Sequence, residues 1–154
     1  MLILLLLLLL TPAWGQDLEY FAPSDHSFRL QLPGPIRQVR AEDDMLIWGS
    51  SSPTSSYLFG YSVIPRAATL RNEKLNNALA DYLQSFMESA GCKCEPDPSL
   101  TRLDGHEAVQ RLGRAPAGIS RARALAVGPR VFIVECTGVS AQEAERYFQS
   151  FKLQ

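Results

Sequence analysis

The chain has 154 residues, of which 46% are apolar and 20% charged. Its 15 Lys and Arg against 16 Asp and Glu give a formal net charge of −1. That composition excludes a disordered chain, and the charge balance excludes a general nucleic-acid binder, which carries a basic excess. The length favours one domain.

Residues 2–10 read LILLLLLLL. A spanning helix needs roughly 20 apolar residues, so this run is too short to cross a bilayer. It fits the apolar core of a secretory signal peptide. Thr11 and Pro12 end it, and Ala13 and Gly15 supply the small residues of a cleavage site before Gln16. No Lys or Arg precedes the run, and no Cys follows it directly. The expectation is a leader at 1–15, a single domain at 16–154, no membrane span in the mature form, and a secreted or periplasmic location.

Phe28, Leu30 and Leu32 alternate with Arg29 and Gln31 before Pro33-Gly34-Pro35, a half-buried strand closed by a turn. Further strands are expected at Met45 to Ser50 and at Tyr57 to Ile64. Leu75, Leu79, Tyr82, Leu83, Phe86 and Ala90 recur at spacings of three and four, which predicts a helix from about 72 to 90. Asn72 is the expected N-cap, and Gly91 the expected left-handed residue beyond its end. Four strands should follow, near Cys92 to Glu95 (with Ser99 to Leu103), Ala108 to Arg114, Ser120 to Val127 and Arg130 to Thr137. Asp104-Gly105 and Gly128-Pro129 mark turns between them. Ser140 and Glu143 form an S-x-x-E capping box for a short C-terminal helix whose Ala144, Tyr147, Phe148 and Phe151 share a face. The predicted order is β-β-β-α-β-β-β-β-α, with an antiparallel meander in the second half.

Several phrases resemble the PsbP-like superfamily. They are Asp25-His26-Ser27-Phe28-Arg29-Leu30-Gln31-Leu32-Pro33, the turn Leu103-Asp104-Gly105, the strand Val131-Phe132-Ile133-Val134, and the closing Tyr147-Phe148-Gln149-Ser150-Phe151-Lys152-Leu153. The resemblance covers nearly all of the chain beyond the leader. It implies an α+β fold, an α/β/α sandwich with a central antiparallel sheet flanked by helices. Members of the family serve unrelated partners, so it implies no activity, and no partner-binding residue carries over.

Three cysteines are present, Cys92, Cys94 and Cys136. Export would place them in an oxidising compartment. Cys136 is in phase with Phe132 and Val134, toward the core, while Cys92 and Cys94 share a strand face. Four arrangements fit: a disulfide from Cys92 or Cys94 to Cys136, buried unpaired thiols, a metal or redox site, or an intermolecular bridge. The two histidines, His26 and His106, each sit beside an acid, Asp25 and Glu107. A hydrolase would need one of them to touch a nucleophile, and no G-x-S-x-G elbow is present. No P-loop, dinucleotide fingerprint, H-E-x-x-H or EF-hand loop occurs, so no cofactor or metal is expected.

Charge is unevenly spread. Between Arg102 and Arg130 there are six arginines against two acids. Arg121 and Arg123 share a strand face, with Arg111 on a neighbouring strand. These three are the candidate ligand-binding residues, since guanidinium forks suit carboxylates and phosphates. The leading expectation is a non-enzymatic binding or accessory domain taking an acidic protein or anionic ligand. The alternatives are a small extracytoplasmic hydrolase and a structural, envelope-stabilising protein.

Overall fold

The computed structural model describes residues 18–154. The leader expected at 1–15 lies outside the described residues. Eleven strands and two helices follow one another as β1 (Leu18–Phe21), β2 (Phe28–Pro33), β3 (Arg37–Glu42), β4 (Met45–Ser51), β5 (Ser56–Val63), α1 (Asn72–Ser89), β6 (Lys93–Cys94), β7 (Ser99–Leu103), β8 (His106–Ala115), β9 (Gly118–Val127), β10 (Arg130–Thr137), α2 (Ala141–Ser150) and β11 (Lys152–Leu153). A 3₁₀ turn, Pro65–Thr69, leads into α1. The chain is of the α+β class.

The main sheet is antiparallel and runs β3-β4-β5-β10-β9-β8-β6, with β7 also paired to β8. A second sheet, β1-β2-β11, is separate. Strand β10 lies between β5 and β9, in register along its whole length. Its side chains divide by parity. Phe132, Val134 and Cys136 enter one core with β2 and α2, whereas Val131 and Ile133 enter another with α1. Both faces of β10 are therefore covered, which explains its nearly continuous apolar run.

The first core is aromatic. Phe21 lies 5.0 Å from both Trp48 and Phe59, and Phe28 is stacked 5.6 Å from Phe151. Phe28, Leu30 and Leu32 are fully buried while Arg29 and Gln31 face water, so the alternation seen in the sequence is the real one. The second core is built on α1, where Leu79, Ala80, Leu83 and Met87 are buried.

The ends of α1 are a mixed result. Gly91 adopts φ 82°, and the Gly91 and Cys92 amides bond the Glu88 and Met87 carbonyls at 3.0 Å each. This is a Schellman end, and it needs the left-handed residue. The N-cap expectation was wrong: Asn72 has φ 52°, and Arg71 occupies the cap position without a side-chain bond. At α2 the capping box is complete, with Ser140 Oγ accepting from the Glu143 amide and Glu143 from the Ser140 amide, both 3.1 Å.

Three strands were not foreseen. All six residues of β3 are exposed, and its register with β4 shifts between Gln38 and Arg40. A charged, bulged edge strand has no apolar alternation to detect. β1 buries only part of Phe21, and β11 is two residues long.

Candidate functional site

A cleft of about 400 Å³ opens where the two sheets meet α2. Ligand pockets commonly measure ~300–1,000 Å³. Its walls come from four places in the sequence: β1, β2, the turn at 52–55 with Tyr57 just beyond it, and the stretch from Gly138 through α2. The turn is held by Ser52, whose Oγ accepts from the Ser55 amide at 3.1 Å and the Thr54 amide at 3.3 Å. Gly138 lets that turn approach. It has φ 75°, and a Cβ there would lie 2.1 Å from the Thr54 carbonyl oxygen. No other residue fits this crossing without displacing the turn.

The inner wall is pinned by tyrosine and serine. Tyr147 Oη donates to the Leu58 carbonyl at 3.0 Å, and its ring meets Tyr57 edge-on at 4.9 Å. Ser150 Oγ donates to the Gln31 carbonyl at 3.1 Å and accepts from the Gln31 amide at 3.0 Å, tying α2 to β2. Burial, with Cys136 and Glu143 adding to it, pushes the Tyr57 phenol up to about 12. Burial likewise raises Tyr147 well above its ordinary value. Both phenols are neutral at neutral pH and act as hydrogen-bonding groups, not as proton shuttles. The cleft can therefore hold and orient a polar group, and its hydroxyls are bound into the turn rather than activated.

The three candidate arginines do not form one patch. Register sets Gln110 opposite Arg123 and Leu112 opposite Arg121, while Arg111 faces Ala122. Arg111 therefore projects from the α1 face, away from the other two. It is buried, donating to the Ala80 carbonyl at 2.8 Å and to the Glu95 carbonyl at 3.0 Å. Arg123 is buried beneath α2. It donates to Gln110 Oε1 at 2.9 Å and the Arg102 carbonyl at 3.2 Å, pairs with Glu145 at 2.6 Å, and lies 4.3 Å over the Phe148 ring. Half-buried Arg121 donates to the Val139 carbonyl at 3.2 Å. All three brace elements of the fold.

Nor are the histidines assembled for catalysis. Both are exposed. Asp25 accepts from Tyr61 Oη at 2.9 Å and pairs with Arg130 at 3.2 Å, and Glu107 accepts from Asn76 Nδ2 at 3.0 Å. The neighbouring acids serve other partners, so neither orients an imidazole.

The cysteines are free. Cys92 and Cys94 belong to the α1 core and Cys136 to the α2 core, so a bridge to Cys136 would have to cross the sheet. Burial pushes the Cys136 thiol up to about 12. Among the described residues, no three His, Cys, Asp or Glu converge on a metal position, and no helix is long and apolar enough to cross a membrane.

The cleft itself was not anticipated. Its one sequence signal is the run Ser51-Ser52-Pro53-Thr54-Ser55-Ser56, a hydroxyl-rich turn of the kind that carries function on loops.

No protein-family model and no curated protein matches the sequence. Solved structures do. The chain is similar to the cyanobacterial PsbP protein CyanoP of Synechocystis sp. PCC 6803, with TM-score 0.63 and 8% identity over 93% of this chain and 96% of that one. It is also similar to the Ran-binding protein Mog1p of Saccharomyces cerevisiae, with TM-score 0.53 and 9% identity over 90% of this chain and 96% of that one. Identity this low speaks to backbone arrangement alone, and on that level the chain has the PsbP-like fold that its sequence phrases resemble.

Proposed function

We propose that this chain is a secreted or periplasmic, non-catalytic binding or accessory domain, built as an α/β/α sandwich, whose recognition site is the cleft beside α2. One observation carries the reading. Separated segments converge on a walled cavity lined by hydroxyls and by the charged Glu143 and Arg146, with phenols that are neutral near neutral pH. Such a site binds by shape, hydrogen bonds and charge. The occupant we assign is a polar segment of a partner protein. Two further facts support this: Mog1p, of the same fold, is a Ran-binding protein, and the cleft borders the exposed Pro53-Thr54 tip of the 52–55 turn.

Filling the cleft tests it. Thr54 is exposed on the turn, so Thr54→Trp should occupy the cavity without disturbing the core. Partners would be captured from the native extracytoplasmic fraction with wild type, Thr54→Trp and, as a distant control, Leu100→Ser on β7 at the far edge of the sheet. The expected result is a partner retained by wild type and Leu100→Ser and lost with Thr54→Trp. An identical captured set for all three, or no partner for the wild type, would overturn the reading.

A further inference from the structure

On the α1 side of the sheet, three sulfur atoms come together that the cleft does not use. Met87 is fully buried, Cys92 is 5% exposed, and Cys94 is half-buried at the short edge strand β6. Cys94 Sγ lies 4.0 Å from Met87 Sδ. Cys92 Sγ lies beside Cys94, since a Cβ on Gly113 would meet both Cys92 Sγ and the Cys94 Cα. The Schellman bond from the Cys92 amide to the Met87 carbonyl, 3.0 Å, fixes two of the three donors relative to one another. Gly113 clears the space: it stands opposite Cys94 in the ladder, and a Cβ there would lie 2.4 Å from Cys92 Sγ.

We infer that Met87, Cys92 and Cys94 form a binding site for a soft monovalent metal ion, Cu(I). Sulfur donors ~2.3 Å from a shared ion stand about 4 Å apart when three surround it in a plane, which matches the Met87–Cys94 spacing. A donor set of two thiols and a thioether selects Cu(I). Zinc takes thiolate, imidazole and carboxylate, and a thioether is foreign to it. Because the third donor is methionine, the site falls outside any grouping of His, Cys, Asp and Glu alone.

A second, independent feature points to a cation here. Glu135 is 4% exposed, and its Oε2 has no hydrogen-bond partner. Its Oε1 accepts from Ser120 Oγ at 2.7 Å, and Ser120 stands opposite Gly113 in the ladder, next to Cys92. A buried acid with an orphaned oxygen is costly unless it holds a proton or positive charge comes near. The site also lies at the C-terminal end of α1, where the helix dipole favours cations, and Cys94 Sγ is 4.0 Å from the Gln84 carbonyl oxygen.

Binding would break two S–H bonds and form two Cu–S thiolate bonds and one Cu–S thioether bond. Both protons leave to solvent. No electron moves, because copper arrives as Cu(I).

The test is anaerobic competition of the fully reduced protein against a chromophoric Cu(I) chelator, with X-ray absorption to count sulfur neighbours. Wild type should withdraw one equivalent of Cu(I) and show three sulfurs. Met87→Leu conserves core volume. It should show two sulfurs and bind more weakly by at least the ~10–100-fold that even an outer-shell change costs. Cys94→Ser should lose the ion, and Cys136→Ala should match wild type. Failure of the wild type to withdraw Cu(I), full retention in Cys94→Ser, or an unchanged sulfur count in Met87→Leu would each overturn the assignment. Zn(II) binding that is tighter than Cu(I) and indifferent to Met87→Leu would overturn it as well. Should Cys94→Ser fail to fold, the Met87→Leu sulfur count decides alone.

Discussion

Replacing Arg123 by Met separates two roles for the same side chain. A docking arginine would leave stability unchanged and abolish partner capture. A bracing arginine would do the reverse. In the structure its side chain is only 10% exposed. Met keeps the apolar stem, so the loss is confined to the head. The Glu145 pair contributes little: that carboxylate is 47% exposed, which places the pair with surface bridges worth at most about 1 kcal/mol. The bonds to Gln110 and the Arg102 carbonyl matter more, because their removal leaves partly buried acceptors unpaired at about 1–3 kcal/mol each. The stacking on Phe148 adds about 0.5–2 kcal/mol. These effects overlap, and a loss of about 2–4 kcal/mol is expected, which in a domain of this size lowers Tm by roughly 8–15 °C. Urea and thermal unfolding measure it, with Glu145→Gln as the comparison, expected to cost less than about 1 kcal/mol. Arg123→Met within about 1 kcal/mol of wild type, or Glu145→Gln as damaging as Arg123→Met, would refute the bracing argument.

Other outcomes follow from single contacts. Ser140→Ala removes the acceptor of the α2 capping box and should cost ~1 kcal/mol in thermal unfolding; no loss would mean the box is not needed. Glu135 is held above the ordinary carboxyl value by burial, with the bonds from Ser120 and Thr137 pulling the other way. Its stability contribution is fully present below the unfolded value and is lost as pH rises through the raised folded one. Glu135→Gln should therefore gain stability relative to wild type on going from about pH 4 to about pH 8, measured by urea unfolding at both. A pH-independent difference would sink that reading. Under a disulfide reagent at neutral pH, Cys94 should react first, Cys92 more slowly, and Cys136 only on unfolding, since the buried thiol pushed to about 12 yields almost no thiolate. Mass mapping of labelled peptides reads the order.

The parts of the fold visible in the sequence are those where side-chain periodicity and burial coincide. β2 and α1 show their apolar faces because each lays one face on a core. β10 shows a continuous run because it lays down two. The parts that were missed follow tertiary demands. β3 is a strand because β4 offers it an open edge, and β11 because α2 ends beside β2. Asn72 looks like a cap by type, yet it stands in a left-handed conformation and Arg71 holds the cap position.

The arginines show a deeper limit. Parity along one strand correctly put Arg121 and Arg123 on a common face. Relating them to Arg111 needs the β8–β9 register, and a shift of one residue there moves a side chain through the sheet. The register pairs Arg111 with Ala122, so a presumed cluster of three becomes two sets on opposite faces. What covers each face is a further unknown, and it decides whether a guanidinium meets solvent or carbonyl oxygens. Here the covering elements are α1 and α2, and the oxygens are those of Ala80, Glu95, Arg102 and Val139. Arg111, Arg121 and Arg123 therefore serve as internal braces of a long hairpin. The cleft is invisible for the same reason, since Ser52, Gly138 and Ser150 become neighbours only after both sheets and α2 are in place.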